Sequence, residues 1–240
     1  MSVFYKETSS DKTDSIVFIH GGGMSNEMWT EYAEALKDFH CIIFDLPEHG
    51  KSISSVPFSI NGSVEEIAQL IKLKAHGGNA HVIGHSVGGI ILVQLLTKYS
   101  DLVKNAIVAS ANLMPSNIYK LLGSKIVCIC MSFVVSKSEK FNFVTPGLLR
   151  KLNMEIVKHS NIPRELTRIE NSVLILCGEK EIESIKLSVI NLMKIIPNSS
   201  GAFVKKANHN FPLKKSSLFL AVIKDWICKE TINNELVKLE

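Results

Sequence analysis

The residues Gly84-His85-Ser86-Val87-Gly88 form a G-x-S-x-G pattern whose spacing suits a nucleophilic serine. An apolar run typical of a buried strand precedes the pattern, and an apolar run typical of a helix follows it. The chain must turn sharply at the serine to project its hydroxyl, so the residues two before and two after it cannot carry side chains. Ser86 then lies at a helix N-terminus, where the amide of Val87 favours an oxyanion. Ordinary glycine-rich turns also produce this pattern, so the flanking strand and helix decide the interpretation.

A serine hydroxyl is a poor nucleophile without a base, and the chain has eight histidines. We expect His209 to be the base because it follows the last predicted strand directly, where a loop can reach the serine. His20 and His85 flank the glycine turns, and we expect them to orient the backbone instead of moving protons.

The base needs a carboxylate to orient it. The strand end after the serine helix, Ser110-Ala111-Asn112, offers none. The next strand end carries both Glu179 and Glu181. Either carboxylate can serve, and either can be a solvated turn residue, so the residues alone leave this choice open.

Composition indicates one globular α/β domain. The 240 residues are 46% hydrophobic and 21% charged, with a net charge of +4 from scattered lysines. No basic stripe with aromatics appears, so we expect no nucleic-acid partner. No apolar run spans a bilayer and no secretion signal is recognisable, so we expect no membrane association and a cytoplasmic location. The five cysteines lack zinc-site spacing, and we expect free thiols and no metal or cofactor.

Short apolar runs alternate with helical patterns, which indicates a mostly parallel sheet of about seven strands with helices on both faces. The helix at residues 64–73 is predicted to begin at Ser63 as its N-cap, with Glu66 completing a capping box. The predicted strands are residues 3–5, 15–19, 41–44, 80–83, 106–109, 173–177 and 202–204.

The alternation stops between residues 112 and 169, where the pattern is helical. We therefore predict a core of residues 1–111 and 170–240 with a helical lid, 112–169, inserted above the C-terminal ends of the strands. Leu121, Met131 and Phe133 in this insertion are candidates for lining an apolar substrate pocket, although each is equally consistent with ordinary core packing.

Several motifs together resemble the α/β-hydrolase superfamily, and in particular the small lidded serine esterases of its α/β-hydrolase-1 branch. The resemblance covers nearly the whole chain. The motifs that carry it are His20-Gly21-Gly22-Gly23, Asp45-Leu46-Pro47-Glu48-His49-Gly50, Gly84 to Gly88, Cys177-Gly178-Glu179-Lys180-Glu181 and Asn208-His209.

The resemblance implies roles for individual residues. The nucleophile falls on Ser86, the base on His209 and the oxyanion donors on the amides of Gly22 and Val87. The acid, usually an aspartate, falls on Glu181, which is one methylene longer. Glu48 is a second departure, because relatives often carry glycine there.

These expectations amount to serine-based hydrolysis of a small or medium apolar ester or thioester through a Ser-His-Glu triad and an acyl-enzyme. Two alternatives remain open on the sequence. The same triad can run lyase or carbon–carbon hydrolase chemistry, and some proteins of this fold are small-ligand receptors with slow turnover. The sequence leaves the oligomeric state open.

Overall fold

The computed structural model describes residues 3–52, 56–114, 128 and 144–239. Within these ranges eight strands form one sheet in the order β1-β3-β2-β4-β5-β6-β7-β8. The edge strands β1 and β8 run antiparallel to their neighbours, and the other pairs are parallel. The strands are β1 (Tyr5–Thr8), β2 (Ser15–Ile19), β3 (His40–Phe44), β4 (Ala80–His85), β5 (Val103–Ala109), β6 (Ser172–Gly178), β7 (Ser199–Val204) and β8 (Leu236–Lys238).

The mostly parallel sheet is confirmed, with one strand more than the predicted seven. The additional strand, β8, pairs with β7 through Leu236 to Lys238. Three residues are too few to show an alternation of apolar and polar side chains, so β8 left no periodic signal in the sequence. The edge strand β1 also begins two residues later than predicted, at Tyr5.

Helices cover both faces of the sheet. Alternate residues of the strands pack into two apolar clusters, which is why the central strands are apolar throughout. Helices α2, α3, α4 and α5 contribute to one cluster, and α1, α6 and α7 contribute to the other. The helices are α1 (Thr30–Ala35), α2 (Ile60–Lys74), α3 (Val87–Tyr99), α4 (Pro146–Lys158), α5 (Glu183–Ile195), α6 (Phe211–Lys214) and α7 (Ser216–Lys229). Short 3₁₀ turns occupy Asn26–Trp29, Gly50–Ser52, His76–Gly78, Ser100–Leu102 and Arg164–Arg168.

The start of α2 differs from the prediction. Its N-cap is Ser59, whose hydroxyl accepts a hydrogen bond from the amide of Gly62, and Ser63 lies inside the helix. The Ser63 hydroxyl instead donates to the carbonyl of Ser59. The completely buried Ile60 explains the earlier start, because it adds an apolar contact one turn ahead of Val64.

Helix α4 lies in the predicted insertion, between β5 and β6. Its N-terminus is built from Thr145, which accepts a hydrogen bond from the amide of Leu148, and from Pro146 in the first turn. Two leucines of its inner face, Leu148 and Leu152, are buried in the same cluster as α3. An element of the insertion therefore rests on the core beside the G-x-S-x-G turn.

Candidate active site

Ser86 lies at the junction of β4 and α3 in a backbone conformation that few residues adopt, with φ 56° and ψ −116°. The two glycines around it are sterically required. A Cβ at Gly84 would lie 2.7 Å from the carbonyl carbon of Gly88, and a Cβ at Gly88 would lie 2.7 Å from the carbonyl oxygen of His20. The strand–turn–helix context expected from the pattern is therefore present, with the serine at its apex.

A chain of hydrogen bonds joins Ser86, His209 and Glu181. The Ser86 Oγ lies 3.0 Å from the Nε2 of His209, and the Nδ1 of the same ring lies 3.0 Å from the Oε2 of Glu181. With a proton on Nδ1, the imidazole donates to the carboxylate and accepts from the hydroxyl. Three residues from the ends of three parallel strands thus meet at one edge of the sheet.

Glu179, the rival carboxylate, faces a different partner. Its Oε2 accepts a hydrogen bond of 2.7 Å from the backbone amide of Lys206 and so fixes the turn after β7. The side chain of Glu181 is 2% exposed, whereas Glu179 is exposed. Of the two glutamates, Glu181 is the one hydrogen-bonded to the imidazole. The geometry thus distinguishes two carboxylates between which the residues alone left the choice open and of which the resemblance implied Glu181.

Glu181 is ionised despite its burial. Burial alone would raise the pKa of this carboxyl, but hydrogen bonds from His209 and Ser110 outweigh that effect and hold the pKa below its usual value. The Ser110 hydroxyl donates to Oε1 at 2.6 Å, so both carboxylate oxygens have a donor. Apart from its position at a strand end, no feature of the sequence pointed to a role for Ser110.

The loop after β2 runs beside the serine. A Cβ at Gly22 would lie 3.1 Å from the Cγ2 of Val87 and 3.0 Å from the Cδ2 of Leu152, so the backbone of Gly22 sits between these two side chains. Val87 is the first residue of α3, and its amide has no acceptor within the helix. The two residues predicted to supply the oxyanion donors, Gly22 and Val87, are therefore in close proximity, and an apolar side chain of α4 packs against Gly22.

Two buried histidines hold this loop. His20 Nε2 accepts from the amide of Leu46, and His49 Nε2 accepts at 3.0 Å from the amide of Gly23. Burial, followed by the proximity of His49, lowers the pKa of His20 to about 3, and burial also lowers the pKa of His49. Both rings are thus neutral near pH 7 and can accept these backbone hydrogen bonds. The supporting role of His49 was missed in the sequence.

His85 supports the base instead of acting as one. Its Nε2 lies 2.9 Å from the carbonyl oxygen of His209, so a proton on Nε2 anchors the backbone of that residue. Burial, followed by the proximity of His209, lowers the pKa of His85 to about 4 and keeps the ring neutral. The prediction that His20 and His85 orient the backbone agrees with these contacts.

Helix α4 is tied to the loop after β3 by an ion pair. Lys151 Nζ lies 2.7 Å from both carboxylate oxygens of Glu48, and Glu48 Oε2 also accepts from the amide of Phe58. Glu155, one turn further along α4, accepts at 2.8 Å from the amide of Ile60 at the start of α2. Glu48, a departure from the family pattern, therefore connects the insertion to the core.

The remaining predictions concern the substrate pocket, metal binding, membrane association and the cysteines. The proposed pocket residues Leu121, Met131 and Phe133 lie outside the described residues. Among the described residues, no three His, Cys, Asp or Glu side chains converge as a metal site would require. None of the described helices has the length and apolar character needed to cross a membrane. Cys41, Cys177 and Cys228 are free thiols.

The family model for the alpha/beta hydrolase fold matches residues 14–122, which contain the glycine loop and the G-x-S-x-G turn. The match to this family therefore covers a little under half of the chain. An AB hydrolase superfamily protein of Gibberella zeae is 35% identical over 120 residues, which are 49% of this chain and 42% of that protein. A pimeloyl-[acyl-carrier protein] methyl ester esterase of Vibrio cholerae is 32% identical over 104 residues, which are 43% of this chain and 39% of that enzyme.

These alignments span about two fifths of the length of the curated relatives. A solved α/β-hydrolase structure from a Medee basin deep-sea metagenome library matches far more of this hydrolase-fold chain, with a TM-score of 0.80 over 97% of this chain and 96% of the other, at 18% identity. This likeness shows the fold over nearly the whole length, including β6 and β7, which deliver Glu181 and His209.

Proposed function

We propose that the protein is a serine hydrolase that cleaves a small or medium apolar ester or thioester through an acyl-enzyme. The observation that carries the proposal is the continuous relay from Ser86 through His209 to Glu181, with both contacts at 3.0 Å. Relatives named as esterases, such as the Vibrio cholerae enzyme, support the same class of reaction.

In this mechanism His209 Nε2 removes the proton from Ser86 as the hydroxyl oxygen attacks the carbonyl carbon. Glu181, ionised and buried, keeps the other proton on Nδ1 and stabilises the imidazolium that forms. The amides of Gly22 and Val87 donate to the oxyanion of the tetrahedral intermediate. His209 then gives the proton to the leaving alcohol or thiol. In the second half of the reaction His209 removes a proton from water as the water oxygen attacks the acyl carbon, and the acid is released as the proton returns to the Ser86 oxygen.

The surroundings of the glycine loop favour an apolar substrate. The nearest side chains to Gly22 are Leu152 and Val87, and the nearest to a Cβ at Gly23 is Val144. All three are buried and carry no charge. An acyl group lying against the oxyanion donors therefore meets aliphatic carbon instead of polar partners, which penalises charged acyl chains.

We also propose that residues 112–169 form the lid of this site. Supporting this, α4 packs Leu152 against Gly22 and is held to the core by Lys151 and Glu48. Leu121, Met131 and Phe133 remain predictions for the rest of the pocket.

The test is turnover of p-nitrophenyl esters of increasing acyl length by the native protein and by Ser86→Ala. We expect native turnover of short to medium chains, and a loss on the order of 10⁴-fold or more in the variant. Ser217→Ala, which alters an exposed serine of α7, is the matched control and should retain full activity. Equal turnover by Ser86→Ala and the native protein would exclude this function, and absence of turnover with tight ligand binding would favour a receptor.

A further inference from the structure

Ser110 is a buried polar residue in a conformation that needs an explanation. It follows β5 directly, is 1% exposed and has a φ of +54°, in the left-handed region that serine seldom adopts. Its amide donates to the carbonyl of Leu176 in β6, and its hydroxyl donates to Glu181 Oε1 at 2.6 Å. This unusual backbone therefore coincides with a short hydrogen bond to the carboxylate that holds His209.

The position of Ser110 connects the three elements of the site. Ala109, the residue before it, accepts a hydrogen bond of 2.8 Å from the amide of Ser86. The strand β5 thus contacts the nucleophile turn on one side and, through Ser110, the acid on the other. No other described strand lies between the serine-bearing strand β4 and the strand β6 that leads to Glu181.

A glutamate requires more restraint than an aspartate at this position. It has one more rotatable bond, so a carboxylate held only by His209 samples more orientations, and many of them turn Oε2 away from the imidazole. A second donor on Oε1 removes that freedom. Hydrogen bonds to charged groups are the strongest of the ordinary protein hydrogen bonds, and this one is shielded from water.

We propose that Ser110 is a positioning residue: its hydroxyl holds Glu181 Oε1 so that Oε2 faces Nδ1 of His209, which allows a glutamate to serve at a position where an aspartate is usual. The proposal rests on the proposed function, since it concerns the acid of that triad. The Ser110 hydroxyl donates to Glu181 and its amide to Leu176, so Ser110 acts on His209 through Glu181.

The experiment compares Ser110→Ala with a matched serine. Ser172→Ala is the control, because the Ser172 hydroxyl also donates to a carboxylate, Glu230 Oε2 at 2.7 Å, but at the opposite end of β6. We expect Ser110→Ala to lower kcat roughly 10- to 100-fold with little change in KM. We expect Ser172→Ala to leave both unchanged.

Two further variants separate positioning from a structural role. Ser110→Gly also lacks the hydroxyl but relaxes the backbone at positive φ, so its kcat should fall as far as that of Ser110→Ala. In a Glu181→Gln background, Ser110→Ala should change kcat less than twofold, because a residue that acts through Glu181 has nothing left to position. Near-native activity of Ser110→Gly, or equal factors in the two backgrounds, would overturn the proposal.

A spectroscopic readout is independent of turnover. The proton between His209 Nδ1 and Glu181 should give a downfield ¹H resonance that Ser110→Ala shifts or broadens and Ser172→Ala preserves. If Ser110→Ala is native-like in kcat and in this resonance while Ser86→Ala and Glu181→Gln are inactive, only the Ser110 proposal fails. If Ser86→Ala and Glu181→Gln remain active, the proposed function fails and this proposal fails with it.

Discussion

Replacing Glu181 by aspartate tests whether the longer carboxylate is matched to its surroundings. The substitution retains the charge but withdraws the carboxylate by about one carbon–carbon bond, roughly 1.5 Å. The contact to His209 Nδ1 would lengthen from 3.0 Å to about 4.5 Å, and the contact to Ser110 from 2.6 Å to about 4.1 Å. Both values lie beyond hydrogen-bonding range.

The expected cost follows from losing the group that orients the imidazole. Removal of the triad acid lowers kcat on the order of 10⁴-fold in the best-known serine hydrolases, so we expect this for Glu181→Gln. Glu181→Asp retains a nearby negative charge and should lose about 10²- to 10³-fold. KM should change little in both variants, because neither carboxylate oxygen faces the substrate.

The assay is steady-state hydrolysis of a p-nitrophenyl ester, with circular dichroism to verify folding. Glu179→Gln is the matched control, since Glu179 lies two residues away and its carboxylate accepts from the Lys206 amide instead of from His209. It should retain activity within about twofold. A fully active Glu181→Gln protein, or an inactive Glu179→Gln protein, would refute the assignment of the acid.

Three other perturbations probe the surrounding structure. Gly88→Ala should destabilise the fold by about 3 kcal/mol in urea unfolding, because its Cβ meets the carbonyl of His20. Gly147→Ala should be neutral, since its Cβ has 3.7 Å of clearance. Equal stabilities of the two variants would contradict the close approach at Gly88. Leu152→Ala should lower the free energy of unfolding by about 3 kcal/mol, because it removes a buried side chain. It should also raise kcat/KM for bulkier acyl esters relative to short ones. An unchanged dependence of kcat/KM on acyl-chain length would place Leu152 outside the pocket. Since the folded-state pKa values of His20 and His85 are lowered to about 3 and about 4, the unfolded chain binds more protons below pH 6.5. Their contribution to stability is lost as the pH falls below 6.5. The free energy of unfolding should decrease by roughly 2 kcal/mol between pH 6 and 5, and a flat free energy of unfolding there would contradict their neutral burial.

Much of the fold was predictable because the central strands are buried on both faces. Their continuous apolar runs, such as that of β6, are visible without any knowledge of neighbours. Two features were not predictable from local pattern. Strand β8 exists only through its pairing with β7, and the start of α2 at Ile60 depends on what that side chain packs against.

The candidate site also has a part that was predictable from local sequence and a part that was not. The turn around Ser86 was predictable because its sterics demand glycine at fixed spacing, and these demands are local. The choice between Glu179 and Glu181 was not decided by the residues alone, because the direction of each side chain depends on the turn that carries it. Ser110 and Leu152 were missed because their contacts to Glu181 and Gly22 join segments far apart in the chain.

The central claim is that Ser86 attacks a carbonyl and carries the acyl group. The most direct measurement is mass spectrometry of the active-site peptide after reaction with a fluorophosphonate, in native protein, Ser86→Ala and His209→Ala. We expect one adduct on Ser86 in the native protein, none in Ser86→Ala and labelling slowed by several orders of magnitude in His209→Ala. Ester turnover with no adduct on Ser86, or with the adduct on another residue, would contradict the account.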